Sequence, residues 1–375
     1  MAESLYVHIP FCAHICGYCD FTKVLYQEEW AFSYIERLKE QLDSLNIDKP
    51  LKTVYVGGGT PTALPSSLLK EILSKLSTYL NKNDYEFTVE ANPENLDDEK
   101  LSIMRECGVN RLSIGVESTH LKFLKLMGRP HTFEEAKAKV ELAKKHGFTN
   151  ISCDLIYGLP TETLEDVKQD VVGLLSLNVP HLSTYCLSVN PGTVWHNKGY
   201  KEMDDGEAAD QYELILKEFR KAGYKRYEVS NFSKPGYESR HNLVYWRDEE
   251  YYAAGLGASG YLDGERFAFT KNLLSYLKGS FEGERETLSS KDKKEEFFLT
   301  HLRLEEGFLD ADYTKRFGVS FFEEFKKQYE SLKSDGLLTS EQGRIYCTDK
   351  GMLLLDRVLT GTCRERRTPG PPSSL

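Results

Sequence analysis

The sequence predicts an α/β fold, a parallel sheet covered by helices, followed by a small winged-helix-like α+β domain. Two observations point to the first part. Strand and helix alternate about six times at the spacing of βα units, which argues for a parallel sheet able to curve or close into a barrel. The chemistry-bearing segments also fall just after the strands, where such barrels place their active sites. A third observation, a change from Lys291 onward to helix, hairpin and helix, marks the second part.

Leu5 to Ile9 is a short apolar run that reads as the first strand. A loop carrying Cys12, Cys16 and Cys19 comes next. A helix is expected over Glu28 to Asn46, where Ala31, Ile35, Leu38, Leu42 and Leu45 recur at 4-3-4-3 spacing and give one apolar face. The second strand, Thr53 to Val56, runs into Gly57-Gly58-Gly59-Thr60-Pro61, and the second helix starts after Pro65 with Ser66 as N-cap. The strand Glu86 to Glu90 precedes a helix over Asp97 to Cys107 that Gly108 stops. Then come the strand Arg111 to Val116, a helix from Phe133 to His146 closed by Gly147, and the strand Ile151 to Tyr157. A helix over Leu164 to Leu177 has Thr163 as cap with Asp166 three residues on, and His181 to Leu187 is the sixth strand.

A helix over Gly206 to Ala222 ends the regular alternation, and residues 232–281 are rich in Tyr and Gly and weakly periodic. Phe321, Phe325, Tyr329 and Leu332 mark one helix, a hairpin turns at Gln342-Gly343, and a last helix covers Asp349 to Leu359. The expected division is a barrel over 1–230, a connecting region over 231–290, the C-terminal domain over 291–360 and a disordered tail over 361–375, rich in Arg, Pro and Gly.

The 375 residues carry a net charge of −10, with 40% hydrophobic and 28% charged residues. That balance is ordinary for a globular protein and argues against a nucleic-acid partner. No apolar run is long enough for a membrane span, and no signal peptide is expected at the N-terminus. Beyond the loop cysteines, Cys107, Cys153, Cys186, Cys347 and Cys363 are scattered. That usage fits a reducing cytoplasm.

Cys12, Cys16 and Cys19 form C-x3-C-x2-C on one short loop. Three thiolates so placed can wrap an iron–sulfur cube and ligate three of its four irons. The fourth iron is left for a small bidentate ligand, such as the amino and carboxylate groups of S-adenosylmethionine. A structural zinc site wants four protein ligands, commonly two separated pairs. No second Cys pair exists, although His8 or His14 can complete a set. A disulfide fails on the odd count, and three unrelated buried cysteines are the plain alternative.

The stretch Tyr6-Val7-His8-Ile9-Pro10-Phe11-Cys12 with Cys16-Gly17-Tyr18-Cys19-Asp20-Phe21 resembles the radical S-adenosylmethionine superfamily. Its flanks are similar to the group that contains the oxygen-independent coproporphyrinogen III dehydrogenases and the haem chaperones called HemW. The resemblance spans roughly residues 4–360 and implies an incomplete (β/α)6 barrel. It implies that Cys12, Cys16 and Cys19 ligate a [4Fe-4S] cluster, with Tyr18 beside the adenine and Tyr6 at the cofactor site. Gly58, Gly59 and Thr60 match the motif that holds the amino group of S-adenosylmethionine; alone, such a run is what any tight turn needs. Glu90 and Asp154 match ribose contacts, and Arg129 matches a contact to the cofactor carboxylate. Glu117 stands where relatives usually have Gln, which adds charge and removes an amide donor. The chemistry implied is a reduced cluster cleaving the sulfonium to a 5′-deoxyadenosyl radical.

Two features point to the haem-chaperone branch rather than the dehydrogenases. Phe21 stands where the dehydrogenases carry a further cysteine, and their long N-terminal arm before the cluster loop is expected to be missing. Ser239-Arg240-His241-Asn242-Leu243-Val244-Tyr245-Trp246 contains that branch's H-N-x-x-Y-W motif. Imidazole is a natural haem ligand and flat aromatics pack on a porphyrin face, so His241 is the candidate haem ligand, with His131 next. The function expected is a cluster-bearing protein that binds haem and delivers it to an acceptor protein. The alternative is oxidative decarboxylation of coproporphyrinogen III. Localisation is expected to be cytoplasmic, with membrane association only through a partner.

Overall fold

The computed structural model describes residues 2–362. Six parallel strands lie side by side in chain order: β1 (Ser4–Ile9), β2 (Thr53–Gly58), β3 (Glu86–Ala91), β4 (Arg111–Glu117), β5 (Asn150–Tyr157) and β6 (His181–Cys186). Between them run α1 (Glu28–Ser44), α2 (Ser66–Ser77), α3 (Asp98–Glu106), α4 (Leu121–Met127), α5 (Phe133–Lys145) and α6 (Leu164–Ser176). This is the expected α/β barrel order. The sequence reading passed over α4, which is only two turns long.

Strand alternation explains both faces of the sheet. Leu5, Val7 and Ile9, then Val54 and Val56, Phe87 and Val89, Leu112, Ile114 and Val116 face the helices in one continuous core with Ile35, Leu38, Leu69 and Ile72. The intervening positions are polar and bond to one another. Tyr55 donates to Glu90 at 2.7 Å, Ser152 Oγ lies 2.7 Å from His181 Nδ1, and His181 Nε2 lies 2.8 Å from the Tyr227 hydroxyl. Barrel interiors are usually filled with branched aliphatics. A polar interior persists when most of its groups are paired; here Thr88 Oγ1 and Arg111 Nε are buried without a partner.

The helix ends follow local chemistry. Thr132 with Glu135 and Thr163 with Asp166 form complete capping boxes. Asp97 caps α3 by accepting from the Lys100 amide at 2.8 Å. Ser66 is not the N-cap expected. It is the first helical residue of α2, and its hydroxyl donates to Glu99 at 2.7 Å instead.

The sheet does not stop at residue 230. Beyond α7 (Val194–Asn197) and α8 (Asp205–Lys221), β7 (Lys225–Arg226) and β8 (Asn231–Ser233) add antiparallel to the β6 edge. After α9 (Arg240–Trp246), β9 (Tyr252–Ala254) pairs parallel with β1 over Leu5–Val7. The stretch from 231, expected as a connecting region, thus covers both sheet edges, which would otherwise leave backbone groups unpaired. Its weak periodicity reflects strands only three residues long.

The C-terminal part holds a separate apolar core around Phe298, Tyr313 and Phe321 and a three-stranded antiparallel sheet. Gln342 and Gly343 turn its hairpin with φ of 50° and 78°. The single helix expected through Phe321 and Leu332 is broken at Phe325 into Phe321–Glu324 and Lys326–Ser334. The last helical stretch likewise splits into Asp349–Leu353 and Leu355–Thr362. The first two residues of the expected tail continue that helix, and the remainder lies outside the described residues. Arg226, whose side chain is 1% exposed, joins Glu305 and Asp349 across to the barrel at 2.5 and 2.7 Å. Among the described residues no helix is long and apolar enough to cross a membrane.

Candidate functional site

Phe11–Cys12 pairs with Val24–Leu25, so the cysteine loop leaves and rejoins the barrel at one place. The Gly17 amide donates to the Met127 carbonyl at 3.1 Å, and Lys23 donates to the Cys19 carbonyl at 2.5 Å. Cys12, Cys16 and Cys19 are free thiols. They line a cavity of about 470 Å³ together with Tyr6, Tyr18, Gly58, Gly59, Thr60, Glu90, Glu117, Arg129 and Asp154. Twelve residues drawn from distant parts of the sequence thus meet in one space at the C-terminal ends of the strands.

The donor set suits a cluster better than a single ion. A tetrahedral structural zinc ion takes four protein ligands, and the loop supplies three thiols. His8 is also engaged through both ring nitrogens, by Tyr6 at 3.0 Å and the Thr22 carbonyl at 2.7 Å. Burial, and then the neighbouring Cys19, push the Cys12 thiol up to about 12, and burial raises Cys16 and Cys19 as well. Thiols in such a place ionise when a cationic core supplies the compensating charge.

The glycines of the second strand end have no room for side chains. A Cβ on Gly57 would lie 2.7 Å from the Glu90 carboxyl carbon, and one on Gly59 would lie 2.7 Å from the Pro10 carbonyl. Gly58 has φ of 118°, which favours glycine. Its amide donates to Glu90 at 3.1 Å. Burial raises the Glu90 carboxyl above its usual range despite that bond and the one from Tyr55. Asp154 is raised to about 7, first by burial and then by Glu117. Its oxygens accept long bonds of 3.5 Å from Ser113 and Ser152.

Glu117 ends β4 at φ of 68°, where the register with β5 slips. The left-handed turn swings its carboxylate onto Arg129, and the two side chains are each 7% exposed. Arg129 Nη2 also donates to the Tyr18 hydroxyl at 3.3 Å, and its Nε, buried, has no partner. Burial opposes the guanidinium charge, but Tyr18 and Glu117 outweigh it. A Cβ on Gly115 would press to 2.7 Å from Glu117 and 2.9 Å from Arg129, so the ion pair needs that glycine. Gln at 117 keeps the acceptor that Arg129 uses. Glu117→Gln is therefore expected to load a cluster and to bind S-adenosylmethionine at least as tightly as the parent chain, as equilibrium binding on the reconstituted protein will show. A tenfold weaker complex would mean that the carboxylate itself is required.

His241, the candidate haem ligand, is enclosed. It sits on α9 with no exposed surface, and its Nδ1 and Nε2 lie 2.8 Å from Thr53 Oγ1 and 2.9 Å from the Tyr245 hydroxyl. The ring also stacks on Tyr55 at 5.3 Å. Burial holds it down to about 3, as a neutral structural imidazole. His131 is 2% exposed, with Nε2 3.2 Å from the Val116 carbonyl and Nδ1 3.4 Å from Glu94. Asn242 does line the cavity. The sequence reading missed Asn92, which donates to Thr60 at 3.0 Å, and Tyr55 and Tyr185, which line the cavity. Tyr55 was findable, because it alternates with Val54 and Val56 and must face inward.

Two family models match the chain: radical SAM superfamily over residues 6–171 and HemN C-terminal domain over residues 288–354. The heme chaperone HemW of Lactococcus lactis subsp. lactis (strain IL1403) is 42% identical over 364 residues, 95% of this chain and 96% of that one. HemW of Bacillus subtilis (strain 168) is 37% identical, with 95% and 98% covered, and that of Escherichia coli (strain K12) is 33% identical, with 95% and 97% covered. Among solved structures, the radical SAM enzyme coproporphyrinogen III oxidase (HemN) of Escherichia coli shares the fold. It gives a TM-score of 0.84 at 23% identity over 97% of this chain and 90% of that one. End-to-end similarity of this strength settles the family: the chain belongs to the radical SAM superfamily and, within it, to the family of the heme chaperone HemW.

Proposed function

We propose that this chain is a haem chaperone that holds a [4Fe-4S] cluster and S-adenosylmethionine in the barrel cavity, binds haem, and delivers it to an acceptor protein without turning over coproporphyrinogen. The observation that carries this reading is the 42% identity, along nearly the whole chain, to a protein named heme chaperone HemW. Phe21, at the position of the dehydrogenases' further cysteine, supports it.

In this reading Cys12, Cys16 and Cys19 hold the cluster. Gly58, Gly59 and Thr60 let the cofactor approach the backbone, and Glu90 and Asp154 accept hydrogen bonds from its sugar. Arg129 meets its carboxylate, while Tyr6 and Tyr18 wall the cavity and exclude water. Cluster and S-adenosylmethionine together supply one-electron cleavage of a carbon–sulfur bond, and the chain supplies orientation and shielding. The setting is the cytoplasm, with a protein acceptor, no nucleic acid, and membranes reached only through that acceptor.

Haem titration beside a coproporphyrinogen assay tests the proposal. Binding in the micromolar range, roughly −8 kcal/mol, is expected, with no protoporphyrinogen formed in the presence of S-adenosylmethionine and reductant. Turnover of coproporphyrinogen, or failure to bind haem, overturns it.

A further inference from the structure

Among the described residues three arginines are buried, and two of them have carboxylate partners. Arg129 has Glu117, and Arg226 has Glu305 and Asp349. The third, Arg111, is 2% exposed, and among the described residues no carboxylate lies within ion-pair distance of it. Its Nε is buried without a partner. A guanidinium keeps its proton in any protein setting, so an unpaired charge sits inside the barrel, where it is costly. Strand alternation and register give its place. Leu112 and Ile114 face the helices, so Arg111 and Ser113 face inward. Arg111 lies between Thr88 of β3 and Asn150 of β5, and Ser113, roughly 7 Å nearer the cavity, lies beside Glu90. Thr88 and Asn150 each hold a buried oxygen without a partner too. This row is therefore not a hydrogen-bonded knot that holds the barrel together.

Above that row is the floor of the cofactor cavity. Ser113 and Ser152 donate to Asp154 there, and Tyr55 and the Gly58 amide donate to Glu90. Burial raises both carboxyls. Their hydrogen bonds oppose it, and Arg111 is a cation that opposes it at both. The nearby imidazoles cannot take that part, because burial and then Arg111 itself hold His181 and His241 neutral. Arg129 is committed to Glu117. The other ionisable neighbours are the phenols of Tyr6 on β1, Tyr55 on β2, Tyr185 on β6 and Tyr245 on α9. The loop thiols are taken by the cluster in the proposed function. In that function Glu90 and Asp154 accept hydrogen bonds from the cofactor sugar. An ionised carboxylate accepts with both oxygens, whereas a protonated one has turned part of that capacity into a donor.

We infer that Arg111 is a positioning residue for the cofactor: its unpaired guanidinium is the counter-charge that keeps Glu90 and Asp154 in the carboxylate form beneath the sugar. This rests on the proposed function and adds a residue to its site. The test is equilibrium binding of S-adenosylmethionine to the cluster-loaded protein from about pH 6 to about pH 9. The parent is run beside Arg111→Met, with iron and sulfide counted in each. Binding needs the ionised acids, so affinity falls as pH drops through their titration, and losing the cation moves that midpoint up. A rise of about one unit is at the low end for a nearby opposite charge. From a parent midpoint near 7, it weakens Arg111→Met about fivefold at pH 7 and leaves it close to the parent at about pH 9. Arg111→Lys keeps a cation and should follow the parent's profile more closely. Glu117→Gln should move the midpoint the other way, because Glu117 raises Asp154. An unmoved midpoint in Arg111→Met, or a loss equal at every pH, overturns the inference while the function stands. Arg111→Gln is the second neutral variant. If neither neutral chain loads a cluster, the guanidinium serves folding and the inference again fails. A parent chain that binds no S-adenosylmethionine overturns the function itself.

Discussion

Anaerobic reconstitution of Cys12→Ala, Cys16→Ala or Cys19→Ala yields chains without a cluster, where the parent chain takes up about four irons and four sulfides. The expectation follows from geometry: these are three thiols on one loop around one cavity. Cys186 lines the same cavity, but it lies on the far side, at the end of β6. Cys153 and Cys347 face the two apolar cores, so Cys153→Ala and Cys347→Ala should load as the parent does. Because Cys12 is 7% exposed, its replacement also leaves a small void, and the variants must be compared by iron content per folded chain. Stoichiometric zinc in the parent chain, with the fold intact, would refute the assignment.

The second large effect is on stability. Arg129→Ala leaves Glu117 buried beside Glu90 and Asp154 with its cation gone. Removing one partner of a buried ion pair costs about 3–5 kcal/mol, and here both side chains are only 7% exposed. Urea titration of the metal-free chain should show that loss. The double variant Glu117→Gln, Arg129→Ala should recover a good part of it, since the stranded charge is then removed. The single change at Glu117 differs because Arg129 still has Cys12, Cys16 and Tyr18 nearby. Equal midpoints for the parent and Arg129→Ala would show that the pair contributes nothing.

The βα alternation made the barrel legible, because each strand alternates residue by residue and each helix repeats every three or four. The capping boxes at Thr132 and Thr163 are short-range chemistry and equally plain. Most of the cavity was legible only through the motif resemblance, since nothing local in Glu90 or Arg129 announces a shared site. His241 is a different case. Its sequence neighbours suggest a ligand, but Thr53, which holds its ring, lies 188 positions away. The pairing of β9 with β1 was likewise hidden by length, because three-residue strands carry almost no periodic signal.

That pairing has a consequence for biosynthesis. β1 leads directly into Cys12, yet its outer neighbour is Tyr252–Ala254. At about 5–20 residues per second, a ribosome delivers that neighbour some 12–50 s after β1. Until then the strand that presents the first cysteine has one open edge, a template for pairing with other chains. Nascent chains stalled before Tyr252 should therefore be sticky and targets for chaperones and proteases.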